Sequence, residues 1–195
     1  MKPPYQQPGA NVAFWAIFLS FVFGEYAVRL RSRRNRPGRP AERWSLLVVV
    51  ACAGGGIGAG FQLANWSGGS VGAAAWPLFV VGLVLMTAGV VIRVWAVLTL
   101  GQFFTVAVRV QPNQTVVDRG PYRWVRHPSY SGLVLFFVGV GLALTNWASF
   151  IVLAVVPTVG LVARIHSEEH VLTASLGDDY RRYAAGRRRL FPGIW

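Results

Sequence analysis

At 195 residues, 54% apolar and 13% charged, the chain has one-domain length but roughly half the charged share of an ordinary soluble domain, and so falls outside that class. Its formal charge is nonetheless +12, carried by 19 basic residues that are all arginine except Lys2. Nucleic-acid binding is one use for such a surplus, but apolar runs separate the arginine clusters at 29–43, 109–126 and 181–189, so we read them as cytoplasmic loops facing anionic membrane lipid, with no nucleic-acid partner.

A helix needs about 20 mainly apolar residues to cross the hydrocarbon core. The first such run spans 11–30. Glu25 and Arg29 close it directly and no small-residue cleavage site follows, so it reads as a retained span rather than a signal peptide. Arginines 29, 31, 33, 34, 36, 39 and 43, interrupted by Pro37 and Pro40, then form a loop that the positive-inside rule places in the cytoplasm. The second span covers 45–64. An uncharged turn at 65–70 belongs outside, and the third span runs over 76–98.

Residues 99–131 are mixed and hold Arg109, Arg119, Arg123 and Arg126. Within 102–118, two β-prone runs flank Gln111-Pro112-Asn113-Gln114, the pattern of a short hairpin. From Leu133 to Ile165 the chain is apolar for about 33 residues, too long for one crossing at 1.5 Å per residue. Asn146-Trp147 is the polar break, so the segment is expected to form two shorter helices, 132–145 and 148–165, as a tight hairpin. The expected fold is therefore an all-α integral membrane protein of five transmembrane helices. Its N-terminus lies outside, and all three arginine clusters fall on the cytoplasmic side with the C-terminus. The tail from 166 is expected to form cytoplasmic helices broken at Gly177. There Asp178-Asp179 suits a helix start, and Tyr180 and Tyr183 share a face.

Gly54, Gly56 and Ala59 after an apolar run imitate a dinucleotide fingerprint. That fold requires an acid about 20 residues later, and there is none between Glu42 and Asp118. Gly56 and Gly60 instead make a small-xxx-small packing face, within the chain or between chains. Cys52, the single cysteine, has no disulfide or CxxC partner and reads as a small buried hydrophobe.

Two clusters carry chemistry. Arg126-His127-Pro128-Ser129-Tyr130, followed by Gly132, opens the fourth span. Pro128 suits a first helical turn, whose free N–H groups and dipole favour a ligand with acceptor atoms. Interfacial anchoring by Trp124, Arg126 and Tyr130, with His127 as a cap, explains the same residues equally well. The second cluster is Arg164-Ile165-His166-Ser167-Glu168-Glu169. Arg164 and Glu168 share a helix face in the less favourable order for a salt bridge. Arg164 is thus available to fork a carboxylate, and Glu168 to meet a cation.

Residues 111–192 resemble the isoprenylcysteine carboxyl methyltransferase family, membrane enzymes related to the phospholipid methyltransferases. The resemblance rests on Gln114-Thr115-Val116-Val117, Gly120-Pro121-Tyr122, Arg126 to Tyr130 with Gly132, Glu168-Glu169, Gly177-Asp178-Asp179-Tyr180, Tyr183 and Leu190-Phe191-Pro192. It implies S-adenosyl-L-methionine as cofactor, in a cytoplasmic pocket closed by the short hairpin and the C-terminal helices. Gln111, Gln114, Thr115, Val116, Val117, Tyr122, His127, Pro128, Ser129, Tyr130 and Glu168 would line that pocket, and Arg164 would be the catalytic, substrate-carboxylate residue. Animal members usually carry His where Gln114 stands.

The resemblance also implies one membrane methyltransferase domain over 1–195, with three spans in 1–98 and the catalytic half in 99–195, its helical hairpin at 132–165. A carboxylate is ionised at neutral pH, so direct displacement needs no general base, in keeping with the lack of a hydrolase triad or metal-ligand set. The acceptor is expected to be lipophilic, most of all an isoprenylcysteine-like carboxylate, with thiol and amine acceptors left open. A compact chain without the extra N-terminal spans of animal members is expected in a prokaryotic cell membrane. A sterol-reductase-type enzyme using NADPH and a non-catalytic membrane protein of the same fold are the alternatives.

Overall fold

The computed structural model describes residues 2–34, 44–104 and 115–195. The remainder of the first arginine loop, and the hairpin expected around 111–114, lie outside the described residues. Five α-helices dominate: α1 (Ala10–Arg34), α2 (Trp44–Leu63), α3 (Ala75–Leu100), α4 (Pro128–Ala143) and α5 (Trp147–Ala185). The helices α1, α2, α3 and α5 are long and apolar enough to cross a membrane. At 16 residues, α4 reaches about 24 Å.

Glycine sets how these helices pack. In α3 and α4, glycines recur every seven residues, nearly two full turns, and so stay on one face. The helices run antiparallel with Gly89 against Gly132 and Gly82 against Gly139. A Cβ on Gly132 would stand 2.7 Å from the Gly89 carbonyl oxygen, and one on Gly139 2.6 Å from the Met86 nitrogen. The backbones touch, with Met86 and Phe136 wholly buried beside the seam. Such approach is how helices associate where water supplies no hydrophobic drive.

The Gly56/Gly60 face packs within the chain, against α5. A Cβ on Gly60 would meet Leu153 at 2.6 Å, and Gly56 faces Pro157. Cys52, half-buried, lies over Gly160. The Ser149 hydroxyl donates to the Gly60 carbonyl at 2.7 Å. Helix α1 is held differently, by rings. Phe21 stacks on Phe136 at 3.8 Å, and Phe14 and Phe18 meet Phe61.

The α4–α5 turn is compact. Thr145 adopts φ 52°, and Asn146 caps α5 by accepting from the Ala148 and Ser149 amides. The Asn146 side chain also donates to the Trp66 carbonyl at 2.8 Å, which seats the α2–α3 loop on the turn.

The sequence reading differs from the structure at two helix bounds. Helix α4 starts at Pro128, the first-turn position the sequence assigned to that proline, and so four residues ahead of the 132 expected as the hairpin's bound, because proline at the first turn gives up no hydrogen bond. Helix α5 does not end near 165. Residues 166–176 contain neither Gly nor Pro and carry it on to Gly177, where φ 56° and ψ −129° kink the helix.

Candidate functional site

A pocket with about 1290 Å³ of unfilled space, its mouth included, opens where one end of the bundle meets segment 115–122 and the last turns of α5. Its apolar side is Leu46, Val49 and Val50 of α2, Leu133 of α4, and Leu172 and Leu176 of α5. Its polar residues come from α1, α3, α4, α5 and the segment before α4. Thr115, Val116, Val117, Tyr122, His127, Ser129, Tyr130, Arg164 and Glu168 all line it. Gln111 and Gln114 lie outside the described residues. Pro128 is the exception among the rest: it is fully buried at the first position of α4 and shapes the helix start rather than the pocket wall.

Arg164 is 3% exposed. Its Nη1 donates to the Ser45 hydroxyl at 2.5 Å, which ties α5 to α2, and its guanidinium lies beside the Tyr130 hydroxyl. That hydroxyl in turn donates to Glu168 Oε2 at 2.7 Å. Arg164 and Glu168 therefore converge on Tyr130 at the pocket wall.

Glu169 is a second centre. It accepts from Arg126 Nη1 at 2.8 Å and Arg189 Nε at 2.9 Å, and sits 3.2 Å from His127 Nε2. His127 stacks on Tyr130, with ring centroids 5.6 Å apart. The amides of Arg126 and His127 donate to the carbonyls of Arg188 and Arg189, and the Ser131 hydroxyl donates to the Leu190 carbonyl. Residues 188–190 thus form a strap across the start of α4.

Glu169 lies about 33 Å along α5 from Trp147, past the ~30 Å of a hydrocarbon core. Partial burial alone would raise its pKa, but His127, Arg189 and Arg126 outweigh that and lower it from 4.5 to about 2. A folded pKa below the ordinary value contributes stability that is present above pH 4.5 and lost as pH falls toward 2. Glu169→Gln should therefore melt with a shallower pH slope than the wild type between pH 4.5 and 2. Equal slopes would remove Glu169 as the centre of this network. Burial is the main reason that the Tyr180 and Tyr183 hydroxyls are pushed up from their ordinary values.

Sequence reasoning missed three groups: Arg93, its partner Glu25, and Tyr180. Arg93 of α3, 8% exposed, forks Glu25 of α1 at 2.7 and 3.0 Å. It also donates to Ser129 and lies 5.7 Å from the centroid of the Phe104 ring. An ionisable residue inside an apolar run was the available signal. Tyr180 is the third. Its hydroxyl and the Nε of Arg126 both belong to pocket-lining residues, and both are buried without a hydrogen-bond partner among the described residues. Buried polar atoms rarely stay unpaired, so these two fit a ligand that brings an acceptor.

The fold and site together define a multi-pass helical membrane protein with a mostly apolar pocket that carries a set of polar groups at its helix ends. Within it, residues 80–174 match the family model for the Isoprenylcysteine carboxyl methyltransferase (ICMT) family, as the sequence motifs led us to expect. Over 111 residues the chain is 36% identical to protein-S-isoprenylcysteine O-methyltransferase B of Arabidopsis thaliana, covering 56% of each. Over 108 residues it is 32% identical to the protein-S-isoprenylcysteine O-methyltransferase of Xenopus laevis, covering 54% of this chain and 38% of that one. The chain thus spans about half the length, or less, of these curated relatives. In structure it is similar to the eukaryotic intramembrane Ras methyltransferase ICMT. The TM-score is 0.69 at 23% identity, over 94% of this chain and 68% of the other, which is a likeness of fold.

Proposed function

We propose that the chain transfers a methyl group from S-adenosyl-L-methionine to the carboxylate of a lipophilic, isoprenylcysteine-like acceptor. Its 195 residues would act as one domain with five crossings, α4 being the short one. The pocket would face the cytoplasm on the arginine-rich side of a prokaryotic cell membrane. The observation that carries this reading is the mixed lining of the pocket. Arg164, Glu168 and the unpaired Arg126 and Tyr180 atoms line the same cavity as apolar α2 and α5 residues. A charged small molecule and a lipid tail can share such a space.

The donor set fits the cofactor. Glu168 offers a carboxylate to its cationic amine or sulfonium, and Arg126 and Tyr180 offer donors to its carboxylate. Tyr122 and segment 115–117 offer an aromatic face and an apolar wall. Gln111, Gln114 and His127 would complete that wall. When bound, the cofactor supplies an electrophilic methyl on sulfur. The chain's residues then have positioning to do rather than proton transfer. Arg164, held by Ser45 beside Tyr130, would orient the acceptor carboxylate. In-line alignment of this kind can lower a barrier by about 7–11 kcal/mol.

Isothermal titration in detergent tests the reading. Micromolar binding of S-adenosylhomocysteine, with no heat from NADPH, is the expected result. Binding of NADPH alone would move the chain to the membrane reductases, and no binding of either would make it non-catalytic.

A further inference from the structure

Segment 115–117 forms part of the pocket wall, and the residue that follows is clamped to the far end of the chain. Asp118 receives Arg187 Nη2 on both carboxylate oxygens, each at 2.7 Å. Arg187 is fixed in advance. Its Nε donates to the Arg123 carbonyl at 3.2 Å and its Nη1 to the Tyr183 carbonyl at 3.1 Å. Its guanidinium lies 4.6 Å from the centroid of the Tyr183 ring. The cation is therefore part of the C-terminal arm. Asp118 is the more exposed half of the contact: its side chain is 49% exposed, against 21% for Arg187. On its other side the segment runs to Gly120. That residue has φ +55° and sits so close to α3 that a Cβ would meet Thr99 Oγ1 at 2.8 Å. The segment thus packs on α3 at Gly120, is tied to α5 where the Tyr183 hydroxyl donates to the Tyr122 carbonyl at 2.8 Å, and is joined at Asp118 to the arm after α5 by one ion pair.

We infer that the Asp118–Arg187 pair is a clasp that positions the 115–117 wall over the pocket, and that its opening limits how fast a bound cofactor leaves. This rests on the proposed function. The geometry suits a clasp better than a rivet. A half-exposed ion pair is weak and is screened by salt, yet a pre-ordered arginine loses little freedom when it closes. Such a pair can hold a wall shut and still release it on the timescale of turnover. The two residues act through the wall and not on the reacting atoms, so they are positioning residues.

The test is the dissociation rate of S-adenosylhomocysteine from the full chain in detergent, measured by stopped-flow displacement at 0.05 and 1 M salt. The wild type is expected to release faster at high salt. Asp118→Asn should release about fivefold faster than wild type at low salt and lose the salt response. Its melting temperature should be unchanged. Asp118→Glu, which keeps the charge, should stay near the wild type in both respects. A merely structural contact would lower the melting temperature and leave the salt response intact. Equal rates for wild type and Asp118→Asn, or a wild-type rate indifferent to salt, overturn the clasp alone. Failure of the wild type to bind S-adenosylhomocysteine at all overturns the proposed function, and the exchange role with it.

Discussion

Arg164→Ala is expected to lower methyl transfer by about 100-fold or more while leaving S-adenosylhomocysteine affinity within about threefold of wild type. The size follows from truncating a buried, hydrogen-bonded charge, which typically costs about 2–5 kcal/mol, with each 1.36 kcal/mol worth a factor of ten in rate. The direction follows from position. Arg164 is 3% exposed and is anchored on Ser45 of α2, so it presents a fixed charge beside the apolar side of the pocket. The loss should appear in the acceptor's KM and in kcat together, since the side chain would both bind and align the carboxylate. Arg164→Lys keeps the charge but loses the planar fork, and should recover only part of the rate. Normal turnover with normal acceptor affinity in Arg164→Ala would end its role. A lost rate with a collapsed melting temperature would instead mean that the Ser45 tie is structural, and Ser45→Ala would then melt early too.

The largest expected loss of stability comes from a single methyl group. Gly132→Ala would place a carbon 2.7 Å from the Gly89 carbonyl and 2.9 Å from the Arg93 nitrogen. Neither atom can swing aside as a side chain would. Overpacking a well-filled interior usually costs about 1–3 kcal/mol, and a clash with backbone belongs at or above the top of that range. The α3–α4 seam would have to part along its length, since Gly82, Gly89 and Gly139 keep the same close approach. The comparison is Gly54→Ala on α2, where a Cβ meets nothing within 4 Å. That change should be neutral or slightly stabilising, as alanine is the better helix former. Thermal unfolding in one detergent, variant against variant, checks the pair. Equal melting temperatures would show that the two helices are not in contact at Gly132.

The helices were legible because apolar runs, arginine-rich loops and the Asn146 break leave strong marks in composition. The α1, α2 and α3 bounds fall within a few residues of those read from the chain alone. Gly56 and Gly60 announced a packing face, but only the fold shows that Leu153 and Pro157 fill it. The seven-residue spacing of Gly82 and Gly89, and of Gly132 and Gly139, is weaker as a sequence signal because a lone glycine in a span has many readings. The site was legible in its motif and less so in its wiring. Arg164 and Glu168 were paired by helical spacing, and the structure brings them together on Tyr130. Glu169, one residue on, faces about 100° away around the helix. It therefore reaches Arg126, His127 and Arg189, contacts that cross 20 or more positions of sequence and leave no periodic trace. Arg93 was hidden for the opposite reason. Its partner Glu25 lies in another helix, so each looked like an isolated charge at the edge of an apolar run.

The Arg93–Glu25 pair also has a consequence for the order in which the chain is assembled. Its members are 68 residues apart, and synthesis proceeds at about 5–20 residues per second, so roughly 3–14 seconds separate their emergence. Phe136, the ring that α1 stacks on through Phe21, emerges later still. During that interval α1 can meet Phe61 of α2 but has neither its counter-charge nor the Phe136 ring. The first helix to be synthesised therefore completes its contacts only after α4 has been made.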